Sequence, residues 1–177
     1  VMIAGNHDSG DRLDSMSVMT DQKRARIRGP MMVDELPLIL EDDDGPVVFS
    51  ALPFGYEYAA RDCFGDDSIT CPEDVLKAQL QAAKRHLPNG ARWVVTAHAF
   101  VAGASSSESE RGLGRAVGGI ETASADIFDG ADYVALGHLH KPQAVVYDHI
   151  RYSGSPLAFG YDEAVGSKSM RLVELSG

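Results

Sequence analysis

Cysteine is scarce: Cys63 and Cys71 are the two thiols among 177 residues, and neither CxxC nor zinc-ribbon spacing relates them. A disulfide scaffold has no support, and free thiols in a reducing, cytoplasmic compartment are expected. Long hydrophobic runs are missing as well. No apolar stretch approaches the roughly 18 residues that cross a bilayer, so a soluble protein without a membrane partner is expected. Basic residues are outnumbered, with 16 Lys and Arg against 26 Asp and Glu, a formal net charge of −10 and a pI near 4.9. That balance argues against nucleic-acid binding by general attraction, so any phosphate partner must be held locally. An initiator methionine is lacking too. The chain opens "VMIAGNHD", in what reads as a strand leading to a loop, and is read as an internal fragment in which a signal peptide would not be visible.

What is present fits one globular domain over residues 1–177, with 44% hydrophobic and 24% charged residues and no internal repeat. Val1 to Ala4 reads as a buried strand ending at Gly5, and "DRLDSMSVM" as a helix. Leu36 to Leu40 and Val47 to Leu52 bracket "EDDDGP", which reads as a hairpin around a solvated acidic turn. Pro53 to Asp67 reads as a long loop. Thr70 and Glu73 form a capping-box pattern with Pro72 near the first helical position. Leu76, Leu80, Ala83 and Leu87 then lay one apolar stripe along that helix.

Arg92 to Ala97 is the next expected strand, followed by a Gly/Ser-rich loop over 102–119 and a brief helical stretch from Ser124 to Phe128. Tyr133 to Leu136, Ala144 to Tyr147, Ile150 to Tyr152 and Met170 to Leu175 read as strands, and His149 as a turn residue. His86 reads as a dipole partner at a helix C-terminus. Strands interspersed with at least two helices indicate an α/β domain.

Four of the six histidines stand where predicted strands end: His7 after "VMIAGN", His98 after "RWVVTA", and His138 and His140 after "DYVALG". If those strands share one sheet and one exit edge, their loops converge where open α/β sheets place ligands. Imidazole is the commonest transition-metal ligand, and two histidines two apart in an extended segment project to the same side. Leu139 between them is expected to turn into the packing. Gly137 allows a sharp turn and a close backbone approach. Each piece also has a bland reading: a surface HxH pair, a hydrogen-bonded structural His98, and Asn6 as a turn residue.

"GNHD" at 5–8, His98 in "TAHAF" and "GHLH" at 137–140 occur in the order that resembles the calcineurin-like metallophosphoesterases. The stretches "GNHDS", "AHAFVAGASSSESER", "ADYVALGHLHKPQ" and "IRYSGSPLAFGYDE" are similar to the bacterial SbcD family, the nuclease subunit of the SbcCD complex. The resemblance implies a four-layer sandwich, two facing sheets flanked by helices, with the metals at the strand ends. It implies that Asn6, His98 and His138 ligate one divalent cation and His140 a second, manganese being the usual activator, and that His7 contacts the scissile phosphate and protonates the leaving oxygen. The family's D-x-H motif and its GD motif with the bridging aspartate do not appear, so the chain is read as N-terminally truncated. Such a fragment is expected to hold at most one metal and to be nearly inactive.

Two cations about 3.5 to 4 Å apart clamp the attacking and leaving oxygens of an in-line phosphoryl displacement. Asp8 either orients His7 or caps the following helix. Ser153 in "SGSP" is a candidate for the DNA backbone, or part of a Gly-Pro turn. The basic cluster "KRARIR", with Lys23, Arg24, Arg26 and Arg28, either meets phosphate or lines a solvated helix face. The function implied is a DNA nuclease acting on duplex ends and hairpins, partnered by an SbcC-like SMC-type ATPase, with a homodimer of the nuclease subunit inside a heterotetramer. A phosphomonoesterase or small-nucleotide phosphodiesterase, and a non-catalytic scaffold, are the alternatives.

Overall fold

The computed structural model describes residues 1–20, 25–106, 122–164, 166 and 168–176. In chain order these form β1 (Met2–Ile3), α1 (Gly10–Ser15) running into a 3-10 turn (Met16–Met19), β2 (Ile27–Arg28), β3 (Leu38–Asp42) and β4 (Gly45–Leu52). Then come α2 (Glu57–Phe64), α3 (Pro72–Lys84), β5 (Arg92–His98), a 3-10 turn (Ala125–Phe128), β6 (Tyr133–Gly137), β7 (Gln143–Val145), β8 (Tyr147–Tyr152) and a last 3-10 turn (Tyr161–Glu163). The result is a mixed α/β protein. No helix among the described residues is long and apolar enough to cross a membrane.

The main sheet has six strands in the order β3-β4-β5-β6-β8-β7. β4, β5, β6 and β8 are parallel to their neighbours, while β3 and β7 close the two edges antiparallel. Interior parallel strands are covered on both faces, which is why β4 and β5 read as near-continuous apolar runs instead of alternating ones. Val48, Leu52, Trp93, Val95, Val134, Leu136, Ile150 and Tyr152 form its core. Two polar groups inside that core are paired: Trp93 Nε1 donates to Ser50 Oγ at 2.9 Å, and the Tyr152 hydroxyl donates to the Ala99 carbonyl at 2.7 Å. A second, two-stranded sheet joins β1 and β2 in parallel. It is tied to the main sheet where the Phe54 amide donates to the Ala4 carbonyl at 2.9 Å.

The α3 helix packs through Leu76, Leu80 and Ala83, as the stripe requires, with Leu87 packed beside them. Its cap lies one residue later than the Thr70/Glu73 pattern implies. Cys71 is the N-cap, and the Asp74 carboxylate accepts from the Cys71 amide at 3.3 Å and the Thr70 amide at 3.0 Å. Glu73 instead accepts from the Ser124 amide at 2.8 Å, so it joins two distant segments.

Several expectations are corrected. Pro53 to Asp67 is not a plain loop, because α2 occupies its middle. That helix buries Ala60 against Ile69 and Val75, and it stops at Gly65, whose φ of +65° suits a left-handed C-cap. Met170 to Leu175 forms no strand: Met170 and Leu172 face solvent, and the Leu175 carbonyl accepts from the Arg92 guanidinium at 3.1 Å. His149 lies within β8, while the turn falls at Val146, whose φ is +59°. Val1 and Met2 are exposed, and of that first run only Ala4 is buried. The "EDDDGP" hairpin turn forms with its carboxylates exposed, as expected, and the exposed Asp42 also pairs with the buried Arg92.

The described members of the basic cluster, Arg26 and Arg28, do not lie on a helix. Ile27 and Arg28 are strand residues, Arg28 pairs with Glu35, and Arg26 donates to the Pro37 carbonyl at 3.2 Å. Lys23, Arg24 and residues 107–119 of the Gly/Ser-rich stretch lie outside the described residues.

Candidate functional site

Adjacent parallel strands deliver their last residues to the same edge of a sheet. Because β5 and β6 pair in register from Val94 with Tyr133 to His98 with Gly137, His98 and His138 emerge side by side. Their rings meet edge to face, 5.3 Å between centroids at 84°. The loop after β1 supplies the third group. Asn6 Oδ1 lies 2.9 Å from His98 Nε2, so three separate segments converge on one imidazole. His7's strand belongs to the two-stranded sheet and not to the main one, which corrects the single-sheet expectation, yet its exit loop reaches the same edge.

Glycine makes this approach possible. A Cβ on Gly5 would sit 2.7 Å from His98 Cε1, and one on Gly137 would sit 3.0 Å from His98 Nδ1. Gly137 is therefore needed for the neighbouring ring. Phe54 covers His98 edge-on at 6.1 Å, and Phe100 lies 6.1 Å from the His138 ring. Burial, then the positive charge that His138 would carry, push the His98 pKa down to about 4, with Asp8 opposing. At neutral pH its ring is uncharged, the state in which imidazole donates a lone pair.

His138 is not in an extended segment. Its φ of +108° lies in the region that costs a non-glycine residue on the order of 1–3 kcal/mol. This kink separates the two histidines: His138 faces His98, while His140 Nδ1 lies 2.6 Å from the Glu163 carboxylate and its ring 5.5 Å from Phe159. Leu139 between them is buried, as expected. A polar group surrounds the second histidine. Glu163 is buried, its other oxygen lies 2.7 Å from the Lys168 ammonium, and Lys168 also donates to Ser155 Oγ at 2.7 Å.

The remaining candidates sit near these two clusters. His7 is exposed next to Asn6. Asp8 accepts the Gly5 amide at 2.7 Å, closing the turn that carries Asn6 and His7; the N-cap of α1 is Ser9, so Asp8 does not cap that helix. Ser153 is exposed and precedes Gly154, whose φ of +80° makes the turn. The buried hydroxyl is two residues on, at Ser155. Sequence reasoning missed Ser155, Glu163 and Lys168, and also an aromatic series. Phe54 meets Tyr56 edge-on at 5.0 Å, and Tyr56 stacks on Tyr58 at 5.7 Å and 12° with both tyrosines exposed. The cluster of aromatics in "PFGYEY" was the available signal.

Metal fit can be judged from the donors. Two ligand atoms each about 2.1 Å from one cation and at right angles lie about 3 Å apart. The Asn6 and His98 donor atoms have that spacing at 2.9 Å, with a second imidazole alongside. Among the described residues, no group of three His, Cys, Asp or Glu side chains is placed to hold a metal. The amide oxygen and two imidazoles thus fit part of one coordination sphere, and two complete spheres need further ligands. No family model matches the chain.

Proposed function

We propose that the chain is the histidine-bearing part of a metal-dependent DNA nuclease of the calcineurin-like, SbcD type. The carrying observation is the convergence of Asn6, His98 and His138, from three segments, at the exit edge of adjacent parallel strands. In this reading β1 and β2 belong to the second sheet of a four-layer sandwich. Asn6, His98 and His138 hold one divalent cation, with manganese favoured for a mixed amide and imidazole set. His140 serves a second cation, whose other ligands come from a D-x-H and a GD segment of the full-length protein. When bound, the cations supply Lewis-acid charge for the phosphoryl oxygens and the attacking water.

The chain's own groups do the rest. The neutral His98 ring offers a lone pair without first shedding a proton at physiological pH. His7, exposed beside Asn6, contacts the phosphate and protonates the leaving oxygen. The exposed Tyr56 and Tyr58 stack supports a nucleic-acid substrate over a small ester, because a base stacks on an aromatic face without sequence preference. Partner and assembly follow the same resemblance: an SMC-type ATPase, with two nuclease subunits in a heterotetramer.

A phosphomonoesterase or small-nucleotide phosphodiesterase is the second reading. It is favoured by the net charge of −10 and by Arg26 and Arg28, which are engaged by the Pro37 carbonyl and by Glu35. The deciding experiment uses full-length protein with manganese and follows nucleotide release from a duplex end. Release supports the nuclease, and turnover of small phosphate esters alone supports the second reading. His7→Gln keeps the metal content and abolishes turnover; loss of metal would refute the role given to His7.

A further inference from the structure

Glu163 holds a different partner on each oxygen. Oε1 lies 2.6 Å from His140 Nδ1, and Oε2 lies 2.7 Å from Lys168 Nζ. A buried carboxylate needs a counter-charge, and Lys168 provides it. That need does not account for the imidazole on the other oxygen. Lys168 is itself fixed, since its ammonium also donates to Ser155 Oγ at 2.7 Å and to the His140 carbonyl at 3.2 Å.

The protonation pattern follows from donor and acceptor chemistry. An ammonium only donates, and an ionised carboxylate only accepts, so both Glu163 oxygens are acceptors. Nδ1 of His140 must therefore carry the hydrogen, and in the neutral ring the lone pair falls on Nε2. We propose that Glu163, held by Lys168, is a positioning residue that fixes His140 as the Nδ1–H tautomer and aims Nε2 as the donor atom toward a divalent cation. The cation rests on the function proposed above; the tautomer does not. A carboxylate behind a metal-binding imidazole raises ligand basicity and sets ring orientation, and its loss typically weakens metal affinity 10- to 100-fold.

Glu163→Gln makes a specific test because Lys168 dictates how the amide sits. The ammonium claims the amide oxygen, so the NH₂ group faces Nδ1, which must then accept, and the ring hydrogen moves to Nε2. The measurement is the ring 15N spectrum of His140 in full-length, metal-free protein at alkaline pH, followed by Mn2+ titration. Wild type is expected as Nδ1–H. Glu163→Gln is expected to invert the tautomer and weaken Mn2+ binding by about 10- to 100-fold.

Wild-type protein with the hydrogen on Nε2 overturns the inference even if no variant folds. So does a Glu163→Gln spectrum identical to wild type. Either result leaves Mn2+ binding at Asn6, His98 and His138, and with it the phosphoesterase reading, intact. Inversion of the tautomer in a protein that binds no Mn2+ supports the positioning role and overturns the phosphoesterase reading instead.

Discussion

His98 Nε2 and Asn6 Oδ1 stand 2.9 Å apart although 92 positions separate them in the chain. Contacts of that span form only when the intervening β4, β5 and helices are in place, so the pair reports on the finished fold. It also depends on a bare backbone at Gly5.

Gly5→Ala puts a methyl group 2.7 Å from the His98 ring, which is held on its other sides by Phe54 and the His138 ring. Overpacking of this kind costs about 1–3 kcal/mol. Urea denaturation should show that loss, and the His98 ring resonances should shift with it. An unchanged midpoint would mean that the loop and ring are not packed in this way.

Acid should destabilise the protein through His98. Its folded pKa of about 4 lies below the ordinary value of 6.5, so the unfolded chain binds the proton more readily. The stability is fully present above about 6.5 and is lost as pH falls toward 4, by about 3 kcal/mol at most from this one group. His98→Gln should flatten that limb of the stability curve between those pH values.

Tyr58→Ala should weaken binding of a single-stranded oligonucleotide by about 1–3 kcal/mol, the usual worth of one base stacked on an aromatic ring. Tyr58 is exposed, so the melting temperature should stay within error of wild type. Hydrolysis of a small phosphate ester should not change. Equal oligonucleotide affinity in the two proteins would rule out the stacking role.

Arg28→Met tests whether the basic cluster touches phosphate. Arg28 pairs with Glu35, a carboxylate whose pKa is already pushed up by burial, and removal of that cation leaves Glu35 with the weaker charge interaction of Arg26. A stability loss below the roughly 3–5 kcal/mol of a fully unpaired buried charge is expected. The salt dependence of DNA binding should keep its slope; a shallower slope would restore the phosphate contact.

Much of the fold was legible because burial leaves long apolar runs. β4, β5 and β6 stand out as "VVFSAL", "RWVVTA" and "YVALG", and α3 by its stripe of Leu76, Leu80 and Ala83. α2 was illegible because its buried contribution is Ala60 alone, too little to show a period. The false strand at 170–175 had apolar residues, but Met170 and Leu172 stay exposed and no strand among the described residues pairs with it. At the candidate site, strand-exit position was enough to suggest His7, His98, His138 and His140, while Asn6 entered as a ligand only through the family resemblance. It failed to separate His138 from His140, because a φ of +108° at a non-glycine residue leaves no mark in the sequence. Glu163 was missed since its carboxylate reaches His140 across 23 positions and its neighbours "YDE" read as surface.

The N-terminal segment has a lighter hold than the strands it serves. β1 contributes two residues to a two-stranded ladder and one carbonyl to the Phe54 amide, whereas β5 and β6 are seated within six strands. Segments with few ladder bonds open at a fraction of the global unfolding free energy. On warming, residues 1–8 should therefore detach first and carry the Asn6 oxygen away from an otherwise intact sheet. Loss of the Asn6–His98 contact in this chain, read from the His98 ring resonances, would then run several degrees ahead of melting, while circular dichroism still reported an intact sheet.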